Sequence, residues 1–350
     1  MTANETTAAP TSTTLLSEVS GVVPDVTPTE LKVVNESTPP TETGITITAI
    51  PEQEAAKEAD RTEITVTKPT PPIEDLWAAA KSHGHPEIWG VYLKDPANDI
   101  PTQIILQKFL NANDGDLAKS KDQLTKTLDW RAKIKPLELT QKKFNRHKFN
   151  GLGYVSTFGA HDTVDPELKE VITWNIYGSV KNVEETFGDL QEFLEWRVVL
   201  MEAALASLGI QQASKTITAD YDPYKIVQVH DYKSISFLRQ SPVVKAASTE
   251  TIKIFAQNYP ELLKEKFFVN VPAIMGFIYA FMKLFVAPKT IKKFHPMSDG
   301  ANLAKEIAAN SNVKGLQDSL PVAYGGKGAE LENVGKQPDL QEPESVTQKG

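Results

Sequence analysis

The chain has 350 residues, 40% of them hydrophobic, with 45 acidic against 37 basic side chains and a net charge of -8. That content suits one or two globular domains, and the negative balance argues against nucleic-acid binding through a general basic field. No cysteine is present, which removes disulfides, thiolate metal ligands and cysteine nucleophiles together and fits a reducing compartment.

Residues 1–70 are rich in Thr, Pro, Glu and Ala and poor in aromatics, with runs such as Thr38-Pro39-Pro40-Thr41. Such a segment buries too little apolar surface to offset its ordering entropy. It reads as a disordered tail, with strand-like pieces only at 45–50 and 64–66. Its first ten residues lack the apolar core of a secretory signal. The longest uncharged apolar run, 271–282, is too short to span a bilayer. The reading is a soluble chain whose membrane contacts are peripheral.

The folded part begins near Pro71. Apolar residues at helical spacing predict helices over 73–82, 102–110 and 117–132. Asn113-Asp114-Gly115-Asp116 supplies a turn and an N-cap between the last two. Residues 71–150 therefore form a helical unit. From 151 the pattern changes: strands at 154–158, 171–177, 225–232 and 267–271 alternate with helices at 189–208, 244–259 and 274–286, and 290–294 starts a further short element. This order predicts an α/β domain over 151–327 with a mostly parallel sheet. Residues 328–350 are polar again and read as a loose tail.

The strand at 225–232 carries the most chemistry. Side chains alternate faces along a strand, so Val227 and Val229 share one face, and Ile226, Gln228, His230 and Tyr232 share the other. A polar row on a central strand needs partners. His230 and Tyr232 are either satisfied core polar groups or ligands, since a phenolate can bind ferric haem iron. A free tyrosine ionises near pH 10, so ligation at neutral pH needs the metal or a nearby cation. Arg197, amid Trp196, Val198 and Val199, is either that cation or a helix-surface arginine. His83-Gly84-His85 reads as a solvated loop pair. The helix at 274–286 is apolar all round, hence a core helix or a cover over a lipid-sized ligand. Lys283, Lys289, Lys292 and Lys293 lie in or just after it, as a solvated face or as partners for anionic head groups. No Gly-rich phosphate loop, nucleophile elbow or zinc-protease motif is present, and no enzyme is expected.

Four segments, in order, resemble the CRAL-TRIO family and its phosphatidylinositol transfer proteins. They are 108–116 running to Leu128-Asp129-Trp130-Arg131, the strand and loop at 229–236, Tyr259-Pro260-Glu261-Leu262-Leu263 with 267–272, and Leu320-Pro321-Val322-Ala323-Tyr324-Gly325-Gly326. The resemblance covers about 71–327. It implies a helical N-terminal unit and a sheet that floors a hydrophobic pocket, gated by the helix at 274–286. It also implies phosphatidylinositol as ligand, with Glu261, Thr290 and Lys293 at the head group. His230 and Tyr232 depart from the usual family strand. With 173–178 and Trp196-Arg197-Val198 they make the chain similar to a fungal haem-binding branch, the Sec-fourteen-like homologue five group. That similarity implies haem b as cofactor, Tyr232 as the iron ligand, His230 in support, and Arg197 and Lys266 as further contacts. A pocket tyrosine of the branch falls near Asn113, which has no phenol, and Tyr177 is the candidate to replace it. A plain lipid exchanger without haem is the alternative. The expected setting is the cytosol, with peripheral endoplasmic-reticulum or microsomal membrane contact.

Overall fold

The computed structural model describes residues 68–342 apart from 161, 162, 164, 234–240 and 272–287. The strand-like pieces at 45–50 and 64–66 and the apolar helix at 274–286 lie outside the described residues.

Three helices open the described chain: α1 (Pro71–His83), α2 (Ile100–Ala112) and α3 (Leu117–Ile134). Their limits have local causes. The Asp99 carboxylate accepts from Thr102 N–H at 2.9 Å and starts α2, and Asp116 accepts from Lys119 N–H at 3.1 Å and starts α3. Between them Gly115 takes φ 82° and donates its N–H to the Leu110 carbonyl, a left-handed turn that glycine adopts without steric cost. A two-residue hairpin, Glu87–Ile88 against Val91–Tyr92, has no counterpart in the sequence reading.

Five strands follow: β1 (Gly153–Gly159), β2 (Lys169–Ile176), β3 (Ile226–Asp231), β4 (Leu263–Val269) and β5 (Phe294–Pro296). They lie in the sheet in chain order, with β1 antiparallel to β2 and the other pairs parallel. Parallel neighbours need long crossovers. These contain α4 (Leu190–Leu208), between β2 and β3, and α5 (Pro242–Asn258), between β3 and β4. Asp189 caps α4 through Glu192 N–H, and Gly209 ends it at φ 75°.

The sheet has two different faces. Val227 and Val229 of β3 join Ile172, Trp174, Phe267 and Val269 in a cluster closed by Leu303, Ile307, Leu316, Leu320 and Leu331. Ile226 belongs to the second cluster, with residues of α1 to α5. The period of two expected along β3 is therefore present, and His230 and Tyr232 lie on the Ile226 side.

Two expectations are corrected. Strand β4 begins at Leu263, not 267, because Leu263 and Lys266 pair with Ile226 and Gln228 of β3. The segment from 328 is not loose as far as 342. Val155 of β1 and Lys336 exchange both backbone hydrogen bonds at 2.8 Å, Leu340–Gln341 pairs in parallel with Phe144–Asn145, and Leu331 is buried.

Candidate functional site

On the Ile226 side, β3 meets the end of β2. Asn175 of β2 is the register partner of His230, and the chain then turns through Tyr177–Ser179. A Cβ on Gly178 would lie 2.2 Å from the Lys233 carbonyl oxygen, so only glycine permits this approach. The turn brings the Tyr177 ring 5.5 Å from the His230 imidazole and 5.8 Å from the Tyr232 ring, centroid to centroid. Phe268 of β4 lies 5.6 Å from His230 and 6.2 Å from Tyr232, and Phe294 of β5 lies 5.3 Å from Phe268. Lys266 places its ammonium 5.3 Å from the Phe268 ring and 5.5 Å from Phe294.

Arg197 enters this ring set from the middle of α4. It is 4% exposed, so the helix-surface reading does not hold. Its guanidinium lies 5.4 Å from the Phe255 ring of α5 and 5.9 Å from Trp196, distances suited to cation–π attraction. Six buried side-chain polar atoms have no hydrogen-bond partner among the described residues. Four belong to this group: Arg197 Nε and Nη1, His230 Nε2 and Asn175 Oδ1. Buried polar atoms are usually satisfied, which makes these four the candidate contacts for a ligand.

The electrostatics follow from burial without anions. Burial, then Arg197, pulls the Lys266 ammonium down to about 7. Burial, then Lys266 and Arg197, hold His230 well below the usual histidine range, so it is neutral. Burial, then Tyr177, push Tyr232 well above the usual tyrosine range, with Arg197 opposing. A phenol in this setting stays protonated unless a metal displaces the proton.

A second group lies at the start of β4. Glu261 takes a left-handed backbone, φ 53°. Its carbonyl accepts from the buried Lys108 ammonium at 2.9 Å, which is also paired with Asp222 at 2.7 Å. Its carboxylate has Lys289 at 3.4 Å, Lys293 at 3.8 Å and Lys225 at 3.9 Å. Burial alone would raise the Glu261 carboxyl, but the three lysines outweigh it and hold it below the usual range. Thr290 lies in the helical turn Pro288–Ile291, where its carbonyl accepts from Lys293 N–H at 3.1 Å. Strand β4 joins the two groups: the Lys293 ammonium donates to Leu263 O, and Lys266 N–H donates to Lys293 O, both at 2.8 Å.

The residues singled out in the sequence thus fall into two clusters: Tyr177, Arg197, His230, Tyr232 and Lys266, and Glu261, Thr290 and Lys293. Asn113 belongs to neither, since its side chain donates to Phe109 O and Gln123 Oε1. His83 and His85 are engaged at the end of α1, with Asp129 3.0 Å from His83. Among the described residues no three His, Cys, Asp or Glu side chains gather as a metal-ion site, but a phenolate site is not of that type. Sequence reasoning missed Phe255, Phe268 and Phe294, and Lys225 beside Glu261. Each comes from a different element, and only the spacing Lys266-x-Phe268 signalled a shared face.

Comparison with known proteins gives a consistent result. The CRAL/TRIO domain model matches residues 174–326. A Chaetomium globosum protein called phosphatidylinositol transfer protein SFH5 is 70% identical over 270 residues, covering 77% of this chain and 62% of its own length. The chain thus spans less than two thirds of that relative. The Neurospora crassa sfh-5 protein is 61% identical over 295 residues, covering 83% of this chain and 81% of its own length. A solved structure described as the crystal structure of Sfh5 superposes with a TM-score of 0.62 at 25% identity, covering 77% of this chain and 94% of that one.

Proposed function

The chain belongs to the SFH5 family of fungal phosphatidylinositol transfer proteins, built on the CRAL/TRIO fold, and on that premise we propose that it binds phosphatidylinositol and haem b at the two groups of residues joined by β4. The observation that carries the haem reading is a pair of cations near His230 and Tyr232, Arg197 buried and Lys266 half-buried, with no carboxylate bound to either among the described residues.

The residues fit that cofactor. Haem b brings ferric iron, for which a tyrosine phenolate is a known axial ligand, and two propionates. Tyr232 is the ligand, and Arg197 opposes its high proton affinity. Neutral His230 offers Nε2, which has no partner among the described residues, as a hydrogen-bonding atom beside it. Lys266 and Arg197 supply positive charge for carboxylates, and Phe255, Phe268, Phe294 and Tyr177 supply an apolar wall that keeps water from the phenolate. The role proposed is binding rather than turnover. The test is the absorption spectrum of protein made with ample haem. A Soret band that is lost or displaced in Tyr232→Phe is expected. Its absence in the parent protein, or an unchanged spectrum in the variant, would sink the haem reading.

The lipid reading rests on the name its relatives carry and on the Glu261 cluster. Lys108, Lys225, Lys289 and Lys293 outnumber Glu261, Asp222 and Asp114 by one, which leaves positive charge for a phosphate, while Glu261 can accept from inositol hydroxyls. Glu261→Ala and Lys293→Ala are expected to reduce transfer of labelled phosphatidylinositol between vesicles. Transfer that is unchanged in both would refute this assignment. Because β4 joins the two groups, haem loading is expected to slow transfer. Among the described residues no helix is long and apolar enough to cross a membrane. The setting proposed for exchange is peripheral contact, from the cytosol at endoplasmic-reticulum or microsomal membranes.

A further inference from the structure

Every other fully buried cation of the described chain has its own anion. Arg131 is bound by Glu87 and Glu202, both at 2.8 Å, and Lys108 by Asp222 at 2.7 Å. Arg197 is nearly as buried, yet two of its three nitrogens have no partner, and the cation nearest in effect, Lys266, forms no ion pair among the described residues. Residues 234–240 and 272–287 contain no acidic side chain. A buried, uncompensated guanidinium is costly; this one lies against the rings of Phe255 and Trp196, while Phe268 and Phe294 flank Lys266. An anion carried on an apolar body would match both the charge and the rings.

We propose that Arg197 and Lys266 form a carboxylate receptor that takes iron-free apolar acids of the long-chain fatty acid class, independently of Tyr232. A fatty-acid carboxylate offers two acceptor oxygens, which match the planar guanidinium, and its alkyl chain lies against the aromatic wall. Iron plays no part in this recognition, so the site does not depend on the haem reading. The groups facing it are Arg197 from α4, Tyr177 after β2, His230 and Tyr232 from β3, and Lys266 from β4. Of these, Lys266 changes charge near neutrality. An arriving anion favours its protonated form, so binding takes up a proton and weakens as pH rises through about 7.

The experiment is titration of the full chain, purified free of haem, with oleate and with oleyl alcohol, which differ only at the head. At pH 6.5 oleate is expected to bind once per chain and about tenfold more tightly than the alcohol, the worth of a charge-assisted contact. In Arg197→Met/Lys266→Met the ratio is expected to fall to about one while the alcohol still binds. Tyr232→Phe is expected to lose the Soret band on haemin addition yet keep the oleate preference, which separates this inference from the haem reading. Equal binding of acid and alcohol by the parent chain, or a preference that survives in the double variant, overturns it. Should the double variant not fold, the parent chain still decides: the preference must decline between pH 6 and pH 8.5, and a flat profile overturns the proposal.

Discussion

Two arginines divide the molecule into a part that is electrically finished and a part that is not. Arg131, on α3, is 0% exposed and held by Glu87 from the hairpin and Glu202 from α4, the latter also accepting from the Tyr259 hydroxyl at 2.7 Å. These contacts hold Arg131 above the usual arginine range although burial works against its charge. Arg197, on the same α4, is buried among rings and has no carboxylate among the described residues. Glu202 lies five positions after Arg197, so one helix carries both a structural anchor and an open valence. A buried charge with partners stabilises the join between the helical unit and the sheet domain. One without partners is a cost that a bound anion would offset.

Four variants test that contrast. Arg131→Met should have the largest effect, because it leaves Glu87 and Glu202 buried and uncompensated. A loss of about 3–5 kcal/mol is expected in urea unfolding, and a loss below about 1 kcal/mol would show that the network is neutral in this fold. Next is Tyr324→Phe, which removes the 2.8 Å hydrogen bond to the buried Asp231 carboxylate on the opposite sheet face. About 1–3 kcal/mol should be lost in the same assay, without change in the Soret band. Arg197→Met should behave in the opposite sense, since replacing an uncompensated charge with an apolar chain of similar length is neutral or stabilising by about 1 kcal/mol in ligand-free protein. Destabilisation like that of Arg131→Met would erase the distinction.

The fourth variant reads a pH slope from Lys266. Its folded-state value is about 7, below its unfolded value. Between the two values the unfolded chain binds more protons, so stability contributed by this group rises with pH from about 7 toward 10. Lys266→Met should lose that upward slope, measured as unfolding midpoint against pH, and an unchanged slope would assign it to another group. In ligand-loaded protein the slope should also flatten, because an anion restores the lysine's affinity for its proton.

What could be read from the sequence depended on how local the cause was. Alternation along β3 is a property of consecutive residues, and it put Val227 and Val229 against one core and His230 and Tyr232 against the other. The Asp116 cap and the Gly115 turn were equally legible. The start of β4 was not, because Leu263-Lys264-Glu265-Lys266 looks polar. Its charges are absorbed non-locally: Lys264 pairs with the buried Glu170 at 2.7 Å, Glu265 meets His295, and Lys266 turns to the ring set. Arg197 was ambiguous for the same reason. An arginine among apolar neighbours on a helix looks alike in sequence whether it faces water or a sheet, and only α5 with its Phe255 settles which. The family resemblance supplied the pairing of distant residues that periodicity could not, while the rings at 255, 268 and 294 became visible as one wall only in three dimensions.

The pairing of Val155 with Lys336 bears on how the chain can be handled. Strand β1 stands at the border of the sheet, and the segment around Lys336 is what occupies its outward N–H and C=O groups. Shortening the chain at 328, where its polarity invites a cut, would uncover that border and the buried Leu331 contact, and would strip Phe144 of its partner strand. Open borders of this kind recruit other chains. A version ending at 328 is therefore expected to self-associate and precipitate, whereas one ending at 342 keeps its closing seam.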